Sequence, residues 1–210
     1  MSGKIIFDKI RQNLVVKDDE FDRLYPMGIR QLSSRHWTPV EVAILAARYL
    51  AHQPGVKVLD IGSGCGKFCH IAAALTTSSI YGVEQRDSLV KIAQNVAEKH
   101  SLKNISFIRS NITTVNFKEY DSFYFFNPFI ENINRSAIID NSIHLERELF
   151  FQYSEYVKNQ LSMMAEGTRI VTYWSLLNEI PAGFNLEFSL FNGQLNFWKK
   201  DKATSLDIFA

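Results

Sequence analysis

Cysteine is nearly absent from these 210 residues: Cys65 and Cys69 are the only two. Two thiols four positions apart cannot build a disulfide framework and are too few for a zinc site of their own, so no metal ligand is expected. There is no apolar run near 18 residues and no secretory h-region at the N-terminus. No membrane association is therefore expected, and the expected location is cytoplasmic. Charge of one sign is lacking too, with 23 Lys and Arg against 22 Asp and Glu. That balance leaves no broad basic surface and argues against double-stranded DNA as a partner. No HExxH pattern and no Ser-His-Asp order is present among the five scattered histidines, which removes two common hydrolytic designs. His36, beside Trp37, is the histidine best placed to line a pocket, and His100 suits a helix C-terminus.

What remains is an ordinary globular composition, 46% apolar, in a chain long enough for one domain with a sizeable core. No repeat or linker divides it. Residues 1–37 are polar, with isolated aromatics, and short helices are expected near 5–15 and 20–25. Thr38-Pro39-Val40-Glu41 has the form of a capping box, so a helix is expected over about 39–52, ended by Gln53-Pro54-Gly55. Short apolar runs at 56–61, 80–84, 105–108, 123–126 and 167–174 read as strands. Helical spacing predicts helices over 68–75, 87–99 and a segment carrying Phe150, Tyr153, Val157, Leu161 and Met164. Residues 130–145 are polar and irregular, a loop at the carboxyl edge of the sheet, where open parallel sheets bind ligands. About ten residues, Ser175 to Phe184, separate the fifth strand from the next β-like run, too few for a crossover helix. Asn192-Gly193 then joins two β runs as a hairpin.

The most informative stretch is Val58-Leu59-Asp60-Ile61-Gly62-Ser63-Gly64-Cys65-Gly66-Lys67-Phe68, a strand running through three alternate glycines into a helix. Glycine lets the backbone bend sharply and lets a ligand approach, while the next helix directs free N–H groups at it. The dinucleotide fingerprint G-x-G-x-x-G would need a third glycine where Lys67 stands. The D-x-G-x-G-x-G arrangement, Asp60 to Gly66, instead resembles the first motif of class I S-adenosylmethionine (SAM) methyltransferases. Ile80-Tyr81-Gly82-Val83-Glu84 supports it with a strand ending in an acid 20 residues beyond Gly64, near the spacing at which a βαβ unit sets a carboxylate on ribose hydroxyls.

That resemblance, over roughly residues 38–200, implies an α/β fold with a doubly wound, mostly parallel seven-stranded sheet closed by an antiparallel C-terminal hairpin. The whole chain, 1–210, is then one domain, with 1–55 an N-terminal helical extension or lid and 56–210 the Rossmann-like core. It implies SAM contacts from Asp60, Ile61, Gly62, Ser63, Gly64 and Gly66 in the turn and from Glu84 and Gln85 after the second strand. Asn111 would face adenine, or alternatively form a turn, and Asn127 would face the methyl group. Thr38-Pro39-Val40-Glu41-Val42 resembles a cofactor-touching segment of some adenine-N6 enzymes, and a helix start explains it equally well. A radical enzyme using the same cofactor would need a third cysteine.

Asn127-Pro128-Phe129 resembles a shortened Asn-Pro-Pro-Tyr/Phe motif of enzymes that methylate amide or amino nitrogen. Asn127 and the Pro128 carbonyl could accept both hydrogens of an N–H₂ group and aim its lone pair at the methyl. Phe129 would stack on the acceptor, although in the full motif the aromatic stands at the place held here by Ile130. The alternative is that Asn127 caps the strand and Phe129 plugs the core. The reading is methyl transfer to nitrogen of a protein or other substrate, a small molecule included, by a monomer or small homo-oligomer. A silent SAM-binding partner subunit or a dinucleotide oxidoreductase are the alternatives.

Overall fold

The structure, a computed structural model, describes residues 3–201; the ends of the expected domain lie outside the described residues. Four helices come first: α1 (Gly3–Arg11), α2 (Asp18–Asp22), α3 (Ser33–His36) and α4 (Val40–Leu50). Then β1 (Lys57–Ile61), α5 (Lys67–Leu75), β2 (Ser79–Glu84), α6 (Asp87–Lys99), β3 (Ile105–Arg109) and β4 (Ser122–Phe126) alternate. The chain closes with α7 (Arg147–Ser162), β5 (Arg169–Tyr173), β6 (Phe184–Leu190) and β7 (Leu195–Lys200).

The strands form one seven-stranded sheet in the order β3-β2-β1-β4-β5-β7-β6. β1 to β5 are parallel, and β7 runs antiparallel between β5 and β6. This is the expected α/β architecture with its C-terminal hairpin, which turns through left-handed Phe191, Asn192 and Gly193. Both faces of β4 are covered. Tyr124 stacks on Phe68 of α5, ring centroids 4.0 Å apart, while Phe123 and Phe125 belong to the core beneath α7. Helices α1, α4 and α5 cover the first face, and α7 with the turns after β3 covers the second. The short link after β5 carries no helix. It is tied to α7 by buried Glu179, which accepts from Ser154 Oγ at 3.0 Å and from Ser175 Oγ at 3.2 Å.

The expected capping box does not form. Thr38 is buried, and its hydroxyl shares a 2.8 Å hydrogen bond with the Tyr124 hydroxyl. The first free N–H of α4, that of Val40, instead donates to Asp18 Oδ1 at 2.9 Å. A threonine committed to a buried hydroxyl partner is unavailable as a cap, and a carboxylate from α2 serves the same orphan donor.

The N-terminal helices are pinned to the start of α5. Lys67, 3% exposed, lies 2.6 Å from carboxylate oxygens of both Asp18 and Asp22; the first contact is a hydrogen bond, the second a close charge pair off the hydrogen-bond axis. Buried His70 bonds the Ala93 carbonyl through Nε2, which must therefore carry the proton, so Nδ1 accepts from Tyr25 Oη at 2.9 Å. Burial lowers its pKa to about 4, keeping the ring neutral.

Candidate functional site

The glycine turn leaves β1 through three left-handed residues, Gly62, Gly64 and Gly66, with φ of 74°, 54° and 81°. The N–H groups of Gly62 and Ser63 both donate to the Val83 carbonyl, at 3.0 and 2.9 Å, which folds the turn over the end of β2. A Cβ on Gly62 would stand 2.5 Å from Pro128 Cβ, and one on Gly66 2.6 Å from the Phe107 ring. Those two glycines allow close packing of the protein on itself. Gly64 differs: nothing lies within 4 Å of where its Cβ would be, and it faces a cavity of about 440 Å³, within the ~300–1,000 Å³ usual for small-molecule sites.

Glu84, at the end of β2, borders the same cavity. Its Oε2 accepts from Gly64 N–H at 3.2 Å and its Oε1 from Arg86 N–H at 2.8 Å, so lone pairs remain on both oxygens. Burial raises its pKa, against the lowering influence of those two N–H donors and of the Arg86 charge. Arg86 is itself buried and is the hub of the loop that covers the site. Nη1 and Nη2 grip Glu131 at 3.1 and 2.7 Å, and Nε donates to Asp140 at 3.0 Å. Burial opposes the guanidinium charge, but Glu131, Asp140 and Glu84 outweigh it and hold the proton more firmly. Glu131 also accepts from Ile139 N–H at 2.8 Å, which fixes the loop's course.

Asp60 lies under the turn, buried, with the Cys69 thiol donating to Oδ2 at 3.2 Å. Burial is the main influence on its carboxyl, whose pKa is pushed up to about 7; the thiol bond works against this and Glu84 with it. Asp60 and Ser63 border a second, small hollow of about 30 Å³, with Thr38, Lys67 and Tyr124 on its other walls. The Ser63 hydroxyl there is buried without a partner among the described residues.

Of the other sequence candidates, Gln85, Asn127, Pro128 and Phe129 border the main cavity with Gly62, Gly64 and Glu84. Ile61 is buried in the core beneath α7. Asn111 acts as a turn former. Its Oδ1 accepts from Thr113 N–H at 3.0 Å and from Thr113 Oγ1, while Nδ2 donates to Tyr153 Oη at 2.8 Å and Gln85 Oε1 at 3.2 Å. Its polar atoms are spent on positioning Gln85. Phe129 is 5% exposed and packs on Tyr153, centroids 5.5 Å apart. Asn127 adopts a left-handed φ of 42° directly after β4, a conformation asparagine tolerates better than most residues.

The sequence did not single out Arg86, Arg35 or Trp174 for the site. Arg35 Nη1 donates to the Ser136 carbonyl at 2.6 Å, joining the N-terminal segment to the covering loop above the cavity. Among the described residues of the N-terminal extension, only Leu32 and Ser34–Trp37 border the main cavity; α1 packs on α5 instead. His36 borders both hollows, and burial, the leading influence, lowers its pKa. Among the described residues no helix is long and apolar enough to cross a membrane, and no cluster of His, Cys, Asp and Glu could hold a metal.

Residues 52–206 match the family model described as a methyltransferase domain. A protein-L-isoaspartate O-methyltransferase of Methanothrix thermoacetophila is 33% identical over 90 residues, 41% of this chain and 40% of the relative. The chain spans less than half the length of the curated relatives it matches. Among solved structures, TrmN from Thermus thermophilus aligns at a TM-score of 0.58 with 20% identity over 81% of this chain and 51% of the other. An RNA methyltransferase from Salinibacter ruber in complex with S-adenosyl-L-homocysteine aligns at 0.52 with 16% identity, covering 79% and 92%. At these identities the two structures share the fold with this chain.

Proposed function

The chain belongs to the methyltransferase-domain family, its cofactor is SAM, and on that premise we propose that it transfers the SAM methyl group to a nitrogen acceptor held by Asn127 and the Pro128 carbonyl. One observation carries the reading: Gly64, Glu84 and Asn127, from three different strand ends, border a single cavity at the carboxyl edge of the sheet, where open parallel sheets bind ligands. The chemistry of these groups fits the cofactor. Glu84 retains acceptor capacity for two ribose hydroxyls, the space above Gly64 admits a ligand backbone-close, and Asp60 is a buried carboxyl with no ion pair among the described residues. An ammonium group near Asp60 would draw it into its ionised form.

SAM supplies an electrophilic methyl whose departure leaves a neutral thioether. The protein's share is then orientation: Asn127 Oδ1 and the Pro128 carbonyl accept the two hydrogens of the acceptor nitrogen, and the Arg86-anchored loop excludes water. No side-chain hydrogen bond engages Asn127 among the described residues, which leaves its amide available for this role. The near-zero net charge favours acceptors other than double-stranded DNA.

The test is methyl transfer from radiolabelled SAM, with S-adenosylhomocysteine affinity measured in parallel. Asn127→Ala should lower turnover by roughly 10²-fold while leaving S-adenosylhomocysteine affinity unchanged. Full turnover in the variant would reduce Asn127 to a strand-end turn, and binding without turnover on any acceptor pool would make the chain a silent subunit.

A further inference from the structure

We infer that Trp174 is the platform on which the acceptor lies, and that the acceptor is a planar heteroaromatic ring carrying an exocyclic amino group. The inference rests on the nitrogen-acceptor reading above and adds the ring. β4 and β5 are parallel neighbours whose last paired residues are Phe126 and Tyr173. The next residue on each strand, Asn127 and Trp174, therefore leaves the sheet beside the other, and both border the same cavity. Both also turn left-handed, with φ of 42° and 48°. For asparagine that is ordinary, but for a bulky aromatic it is an outlier that other contacts must hold in place. Here Trp174 N–H donates to the Gln194 carbonyl at 2.9 Å, so the hairpin loop fixes the backbone that aims the indole.

The indole itself is under-used by the protein. It is 52% exposed, and its one ring contact among the described residues is an edge approach to Tyr173 with centroids 6.5 Å apart. No group accepts from its N–H among the described residues. The aromatic of the Asn-Pro-Phe stretch, by contrast, is largely consumed by the core: Phe129 is buried against Tyr153 and reaches the cavity with only its 5% exposed surface. A flat π-surface that excludes water and tolerates different rings is what stacking of a base requires. With the ring on Trp174, its exocyclic amino group comes within the domain of Asn127. The nitrogen lone pair forms the new N–C bond as the C–S bond breaks, the electron pair goes to sulfur to give S-adenosylhomocysteine, and the surplus proton leaves to water. A lysine or an aliphatic amide would use Asn127 but gain little from an exposed flat indole.

The test compares wild type, Trp174→Phe and Trp174→Leu with labelled SAM and defined acceptors. Adenosine and cytidine carry the amino group, inosine and uridine lack it, and the same bases in short single-stranded RNA distinguish a free nucleoside from an RNA source. A peptide containing lysine and glutamine is the competing acceptor. Label should enter adenosine or cytidine, free or in RNA, and not the other probes. Trp174→Leu should raise KM for that acceptor by about 10- to 100-fold with kcat less affected, Trp174→Phe should recover most of it, and S-adenosylhomocysteine affinity should stay equal in all three. Equal KM for the Leu and Phe variants, label entering the peptide, or no label in any probe overturns the inference. If wild type also fails to bind S-adenosylhomocysteine, the methyltransferase reading of the site falls with it; if binding is intact, only the ring is lost.

Discussion

Replacing Asp60 with asparagine removes a charge that the folded chain resists holding. Burial raises the carboxyl pKa from 3.8 to about 7, so the folded protein keeps a proton that the unfolded chain releases near pH 4. Between those values the native state binds more protons than the unfolded state, and stability must fall as pH rises across the window. One unit of pKa difference corresponds to about 1.4 kcal/mol. A separation of about three units therefore makes Asp60 destabilising by about 4 kcal/mol at pH 7 relative to acid conditions below its unfolded pKa. An asparagine of the same shape can still accept from the Cys69 thiol and carries no such penalty. Urea unfolding of wild type and Asp60→Asn at several pH values from 4 to 8 measures the difference directly, because other titrations largely cancel between the two proteins. The variant should gain on wild type as pH rises through the window and then hold its advantage. Parallel stability profiles would mean that Asp60 ionises as freely in the folded chain as in the unfolded one, and the ammonium-facing role proposed for it would lose its basis.

Glu84→Ala should weaken S-adenosylhomocysteine binding by about 1.5–3 kcal/mol, the worth of hydrogen bonds to a charged group, in titration calorimetry; unchanged affinity would remove Glu84 from the cofactor site. Arg86→Met should destabilise the chain by about 3–5 kcal/mol, because Glu131 and Glu84 stay buried without their cation. Its urea midpoint should drop, and limited proteolysis should cut first within residues 130–145; a variant as stable as wild type would show that the loop is held by other means.

The elements governed by local pattern were legible. The helix over 87–99 was expected from apolar offsets and spans those residues, and Asn192-Gly193 marked the hairpin because few residues besides glycine and asparagine accept its left-handed turn. Features built from distant residues were not. Thr38 has every mark of a cap, yet its partner is Tyr124, 86 residues away, and Asp18 takes its place. Arg86 gathers acids 45 and 54 residues ahead, and no local spacing announces such a meeting. Asn111 followed the local rule it shares with many turn residues, its carbonyl oxygen bonding two positions on. Trp174 escaped notice because an aromatic at a strand end looks like core until the neighbouring strand's register is known.

Lys67 stands where a dinucleotide-binding chain would have its third glycine, and its side chain is answered by Asp18 and Asp22. A protein trimmed to begin at Thr38 would therefore lose more than its first three helices. It would carry an ammonium group stripped of both counter-charges at the first residue of the helix that follows the glycine turn, beside a helix α4 whose leading N–H had lost Asp18 as well. The same two aspartates thus tie the integrity of the glycine turn to helix α2, far away in the sequence. Any change that melts residues 18–22, a protease cut or a bound partner, would be felt first at the glycine turn and the start of α5.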